Sequence, residues 1–357
     1  MILEEIQIKL KQSPLSALFI VDPIDLKYVT GLALSSAALI ITPSSAHLFV
    51  DGRYVLMAEM LKPVFQIHSG SKSETKNATA HVLGQIQGPI GFDEDHTSYG
   101  EYQTLLQKVP SADLVSASRF FRDLRREKHP EEISKIKKAC QICEEGLSHV
   151  LGRLRPGITE QELEQEIKLF WLSHGADDVA FSPIIAFGAN SACPHWSCSN
   201  TALKKDSIIL LDLGVQKDGY NSDMTRVVFY GDVDDDLRQC FTHVEKTFRG
   251  VMERAKPGVL PHDLDVFARE YLATCGHKDG FPHGLGHGVG MRVHEPPRLS
   301  PERPDEGALK IGDVITIEPG LYIEGKGGVR LEDTFVVEKE GVRSLFSLPA
   351  KLIEISV

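Results

Sequence analysis

Apolar positions in residues 1–125 fall into short runs separated by stretches of helical period. Ala17–Val21, Ala38–Thr42 and His47–Val50 predict strands, while Arg53–Leu61 and Ser98–Lys108 predict helices. Lys72–Thr79 is polar and predicts a surface helix or loop. The pattern changes over Arg122–Gly146, which is densely charged. There Ile133, Ile136, Cys140 and Cys143 recur in helical period behind Pro130, a residue suited to a first helical turn. We place a domain boundary at this change, with one domain over 1–125 and a second over 126–357. The expected fold class is α/β (α+β).

The second domain repeats itself. Leu147–Gly175 reads as helix, Pro-Gly break, helix, and Phe248–Gly276 follows the same plan with its break 101 residues on, from Pro156 to Pro257. Each helix pair precedes a strand–turn–strand pattern. Two such copies predict a pseudo-twofold with the two hairpins side by side along its seam.

Each hairpin sets one acid of its first strand against one of its second. Ile208–Tyr230 holds two β-branched runs around a polar turn at Gln216–Gly219. If Val215 pairs with Tyr220, Asp212 lies opposite Asp223, and opposed residues stand ~5 Å apart on one face. Two carboxylates that close resist joint ionisation unless a cation or a proton sits between them. A register slip that turns one Asp to solvent stays open on this hairpin alone. The second hairpin, Val314–Val337 around Glu324–Gly327, places Glu318 and Glu332 opposite or one step off. Four converging carboxylates point to a dinuclear metal centre.

Composition narrows the class. The net charge of −11 argues against a phosphate-tracking surface, so nucleic acid is not an expected partner. No run of ~18 apolar residues or basic leader is present, so no membrane association is expected and we read the chain as cytoplasmic. Cys140 and Cys143 form a CxxC with no second pair downstream, and the six cysteines read as packing residues or free thiols.

Taken in chain order, LDLG, SDMTR, GLGHGVG, VHEPPR, IEPGLYI and VRLED resemble the pita-bread metallopeptidases. Among these the chain is similar to the Xaa-Pro branch, proline aminopeptidase and prolidase, with a creatinase-type N-terminal domain. VDPIDLKYVTG and FVDGRYVLMAE carry the looser part of the resemblance in residues 1–125.

The resemblance implies Asp212, Asp223, His287, Glu318 and Glu332 as metal ligands for two divalent ions. An oxygen-rich set with one nitrogen suits Mn²⁺, with Co²⁺ and Zn²⁺ as alternatives. It further implies Glu318 as general base, or else as ligand alone, and His195 and His294 as groups that meet the substrate or its tetrahedral intermediate. His283 would line the pocket beyond the cut, and Arg298 would bind a substrate carboxylate. Arg330 would face the substrate or else orient a carboxylate through a salt bridge, and Thr225 would support a ligand. The expected activity is hydrolysis of the X–Pro bond at the N-terminus of a proline-containing peptide, with Xaa-Pro dipeptidase as the alternative. Methionine aminopeptidase and a metal-free binding module rank below both. The relatives also suggest a homodimer.

Overall fold

The computed structural model describes residues 2–304 and 306–357. The chain divides between Leu124 and Arg125 into two compact units. In the first, six strands form one sheet, in spatial order Gln66–Gly70, Ala46–Asp51, Ala37–Ile41, Ala17–Ile20, Pro89–Phe92, Asp113–Ser116. All run in one direction except Ala37–Ile41, which is antiparallel to both neighbours. The polar stretch from Lys72 is a helix, Lys72–Gln85. Its start is set by a capping box in which the Ser71 side chain takes the Glu74 N–H and Glu74 returns the bond to Ser71. Ser98 and Glu101 do the same for the helix Tyr99–Lys108.

The second unit shows the repeat as packing. Helix Pro130–Leu151 lies against Glu160–Ser173, and Asp235–Arg254 against Pro261–Thr274. In the shorter helix of each pair the fully buried apolar positions are Leu163, Ile167 and Trp171 in one copy, and Leu264, Ala268 and Leu272 in the other. Each sits 101 residues from its counterpart. Four-residue spacing keeps each set on one face, which is the face turned to the core. Gly157 and Gly258 in the breaks, and Gly175 and Gly276 after the helices, all adopt left-handed φ of 90–96°, a conformation that costs glycine little.

The first hairpin departs from its expected register. Met224 pairs with Leu213 and Thr225 with Asp212, so Asp212 faces Thr225 and not Asp223. The reason lies in the turn. Lys217 pairs with Tyr220 around the two residues Asp218 and Gly219, whose φ values of 52° and 79° are both left-handed. Asp-Gly is the dipeptide that such a tight turn favours, and it brings Ser222, not Tyr220, opposite Val215. A shift of two leaves every side chain on its original face. Asp212 and Asp223 therefore remain on one face as diagonal neighbours.

The second hairpin keeps its expected register. Ile323 pairs with Gly327 and Gly320 with Arg330, and beyond a break Ile317 pairs with Asp333, which places Glu318 across from Glu332. The break at Glu318-Pro319 splits the ribbon. Its tip is a two-stranded sheet, and its base joins Gly286–Gly288 and Glu295–Leu299 in a five-stranded one. The two hairpins meet at a single bridge, Thr225 to Glu332. Arg226, 1% exposed, locks this seam by donating to the Glu332 carbonyl (2.7 Å) and pairing with Asp333 (2.8 Å).

Candidate metal centre

Strand alternation places the acids. Thr225 lies opposite Asp212, and Arg330 and Glu332 share a face of the other ribbon, so the bridge at Thr225–Glu332 turns both acidic faces toward one spot. His287 arrives on the short strand Gly286–Gly288, anchored by its N–H on Thr316 Oγ1 at 3.0 Å. Two glycines flank it because the backbone runs close to its neighbours. A Cβ at Gly286 would meet the Thr316 carbonyl oxygen at 2.2 Å, and one at Gly288 the Pro296 carbonyl oxygen at 2.2 Å.

Ligand atoms of Asp223, His287 and Glu332, all buried, lie within 4.8 Å of one another. Glu318 joins them, its Oε1 3.4 Å from His287 Nε2. The Nδ1 of His287 is 3.1 Å from the Gly288 carbonyl oxygen, an acceptor, so Nδ1 carries the proton and Nε2 offers a lone pair. That lone pair looks at Asp223 Oδ2 (3.6 Å) and Glu318 Oε1 (3.4 Å). Burial pushes the His287 imidazole down to about 3, so the ring is neutral.

Acceptors thus face acceptors. Burial, then Asp212 and Glu318, hold the Asp223 carboxyl well above the usual range. Burial, then Asp223, does the same to Glu332. Glu318 is pushed up to about 8, chiefly by burial. Asp212 has a buried Oδ1 without a hydrogen-bond partner. The Asp223 and Glu332 carboxylates and the His287 lone pair, crowded in low dielectric with Glu318 beside them, fit a divalent cation.

The remaining expected residues surround this floor. His195, His283, His294, Arg298 and Arg330 all line one cleft of about 610 Å³ that ends on Asp212, Asp223, His287, Glu318 and Glu332. The ring of His294 stands edge-on to His287 at 4.2 Å. His195, His294 and Arg298 are exposed at the mouth. Arg330 is tied inside the protein, to Asp212 Oδ2 (2.6 Å), the Tyr322 hydroxyl (2.8 Å) and Thr225 Oγ1 (3.1 Å). This is the salt bridge that orients a carboxylate. Thr225 also donates to Glu332 Oε2 at 2.7 Å.

Sequence reasoning missed Tyr322. Its hydroxyl bridges Arg330 and His283 Nε2, each at 2.8 Å, and burial pushes it up to about 12. A signal was there. Tyr322 is two places from Gly320 and opposite Gly328, and a Cβ on either glycine would strike its ring or hydroxyl at 2.5–2.6 Å.

Residues 134–339 match the model of metallopeptidase family M24, and residues 3–126 match the creatinase/prolidase N-terminal domain. The Xaa-Pro dipeptidase of Pyrococcus furiosus is 32% identical over 98% of this chain and 99% of its own. Among solved structures, the Xaa-Pro dipeptidase from Bacillus anthracis superposes with a TM-score of 0.93 at 28% identity, covering 99% of each chain. The X-Pro aminopeptidase from Thermotoga maritima superposes with a TM-score of 0.87 at 27% identity, covering 97% of this chain and 99% of its own. Among the described residues no helix is long and apolar enough to cross a membrane. With its acidic seam built from two related halves, its creatinase-type first unit and these matches, the chain belongs to metallopeptidase family M24.

Proposed function

We propose that this chain is a metal-dependent Xaa-Pro dipeptidase. The observation that carries the metallopeptidase chemistry is the buried cluster of Asp223, His287 and Glu332 at the floor of the cleft, with Glu318 beside it. Asp212, Asp223, His287, Glu318 and Glu332 would hold the metal, as a pair of divalent ions with Mn²⁺ the favoured one. Bound there, such a pair supplies Lewis acidity and a water acidic enough to be deprotonated near neutral pH.

The protein's own groups divide the rest. A Glu318 carboxylate next to the scissile carbonyl takes the proton of the attacking water and passes it to the leaving proline nitrogen. His195 and His294 at the mouth donate to the carbonyl oxygen as its charge grows. Arg330 donates from Nη2 to Asp212 Oδ2 and fixes that carboxylate, a positioning task. Arg298 stands in the cleft as the cation for the C-terminal carboxylate of a dipeptide.

The relatives' names favour the dipeptidase over the aminopeptidase first expected from the sequence, since those of Pyrococcus furiosus and Bacillus anthracis are both Xaa-Pro dipeptidases. The Thermotoga maritima likeness keeps the aminopeptidase as the second reading. With Mn²⁺ added, X-Pro should be cleaved with kcat/KM about tenfold or more above X-Pro-Y of the same X. Arg298→Ala should raise KM for the dipeptide more than for the tripeptide. Preference for the tripeptide would move the assignment to the aminopeptidase. Inertness toward both, with metal retained, would remove the Xaa-Pro reading.

A further inference from the structure

Glu160, the first residue of helix Glu160–Ser173, is fully buried, and its carboxylate takes five hydrogen bonds. Oε1 accepts from Phe187 N and Asn190 Nδ2, both at 2.8 Å. Oε2 accepts from Trp196 Nε1 (2.9 Å), Ser199 N (2.9 Å) and Ser199 Oγ (2.7 Å). All five donors belong to residues 187–199, and residues 194–197 of that stretch line the cleft. Charge-assisted bonds are stronger than neutral ones, and five on one carboxylate fix the loop as a unit. The helix N-terminus favours the charge that does it.

Trp196 is the side chain this network presents to the cleft. Its ring packs with Ile184, Ala186 and Leu210. Ile184 pairs with Asp212 and Ala186 with Leu210, so the indole covers the same sheet face from which Asp212 projects. Phe181 closes the neighbouring gap over Gly214, where a Cβ would stand 2.4 Å from the ring. One half of the cleft, beside Asp212, is therefore walled by Phe181, Ile184 and Trp196, while the half beside His287 carries His294 and Arg298. An X-Pro dipeptide bears its carboxylate on proline. With that carboxylate at Arg298, the X side chain faces the apolar wall.

We propose that Trp196, held in place by Glu160, is the wall that selects the residue before proline, and that the enzyme favours a bulky apolar X over glycine. The proposal rests on the Xaa-Pro reading and names the substrate class within it. Glu160 touches no substrate in this scheme and acts through Trp196.

The test is kcat/KM on Leu-Pro and Gly-Pro for the wild type, W196F, W196A, E160Q and the E160Q/W196A double variant. The wild type should favour Leu-Pro by about tenfold or more. W196F keeps an aromatic wall and should keep the preference. W196A should lose about tenfold on Leu-Pro while Gly-Pro moves less than about threefold. E160Q replaces acceptor lone pairs with N–H donors aimed at other donors. It should lower the Leu-Pro to Gly-Pro ratio in the presence of Trp196 and leave it unchanged in W196A, as expected for two residues on one path. An equal ratio in wild type and active W196A overturns the specificity wall and leaves the Xaa-Pro reading standing. The same ratio change from E160Q in both backgrounds overturns the action through Trp196. A metal-loaded wild type that cleaves neither peptide overturns the underlying reading itself.

Discussion

Thr225 shows how one hydroxyl serves this centre. Its Oγ1 donates to Glu332 Oε2 at 2.7 Å and receives Arg330 Nε at 3.1 Å, so it fixes a carboxylate and a guanidinium together. Thr225→Val keeps the shape and β-branching and removes only that atom. Metal affinity or turnover should fall roughly 10–100-fold, read by metal titration and by kcat with saturating Mn²⁺. An unchanged value in both would mean that Glu332 needs no such anchor. Asp223→Asn or Glu332→Gln should go further and abolish turnover while weakening metal retention, and full activity in either variant would contradict a ligand role. At this scale the four acids were legible in the sequence because their spacing about the two turns sets each pair on one face, a one-residue slip of register being the open alternative. His287 was reached through resemblance, since a histidine in a glycine-rich stretch has no period to place it. The Arg330–Asp212 contact was not legible: it joins residues 118 positions apart through a seam that neither ribbon encodes by itself.

At the scale of elements, the hairpins divide by what sets their register. The second takes the directly opposed one of its two expected registers and holds it through the break at Pro319. The first is shifted by two from its expected register because Asp218-Gly219 alone makes the reversal, in place of the expected four-residue turn Gln216–Gly219. The convergence of acids survives that shift because the side-chain period of a strand is two. What the pattern left unseen is the charge that holds the ribbons together. Arg226 sits in a run of strand formers, yet it crosses the seam to Asp333 at 2.8 Å with both side chains at least 95% covered. Arg226→Met fills similar space and strands the Asp333 charge. Removing one partner of a buried pair typically costs about 3–5 kcal/mol, and denaturant unfolding of the metal-free protein should show a loss of that order. A loss below about 1 kcal/mol, the range of exposed pairs, would show that Ser344 Oγ, 3.0 Å from Asp333 Oδ2, and water suffice to carry the charge.

At the scale of the whole molecule, the repeat concentrates acid in one place, and the second unit must bear the cost when that place is empty. Burial and mutual repulsion raise Asp223 and Glu332 well above the usual carboxylate range and bring Glu318 to about 8. In the unfolded chain a glutamate titrates near ~4.3. A carboxyl whose folded pKa lies above its unfolded value favours the fold below the unfolded pKa, and that stability drains away as pH rises through the folded pKa. The metal-free protein should therefore lose stability as pH rises from ~4.3 to about 8, the interval in which the folded chain still holds the Glu318 proton and the unfolded chain does not. The loaded protein, its charges matched by cations, should not follow it, because metal uptake requires the deprotonated ligands and draws them in that direction. Thermal unfolding with Mn²⁺ and with EDTA at several pH values measures the gap directly. The gap should widen from pH 6 to pH 8.5, and the same mutations that remove an acid, Asp223→Asn or Glu332→Gln, should narrow it by stabilising the metal-free form. A gap independent of pH, or a metal-free variant no more stable than its parent, would mean that the carboxylates do not share one field.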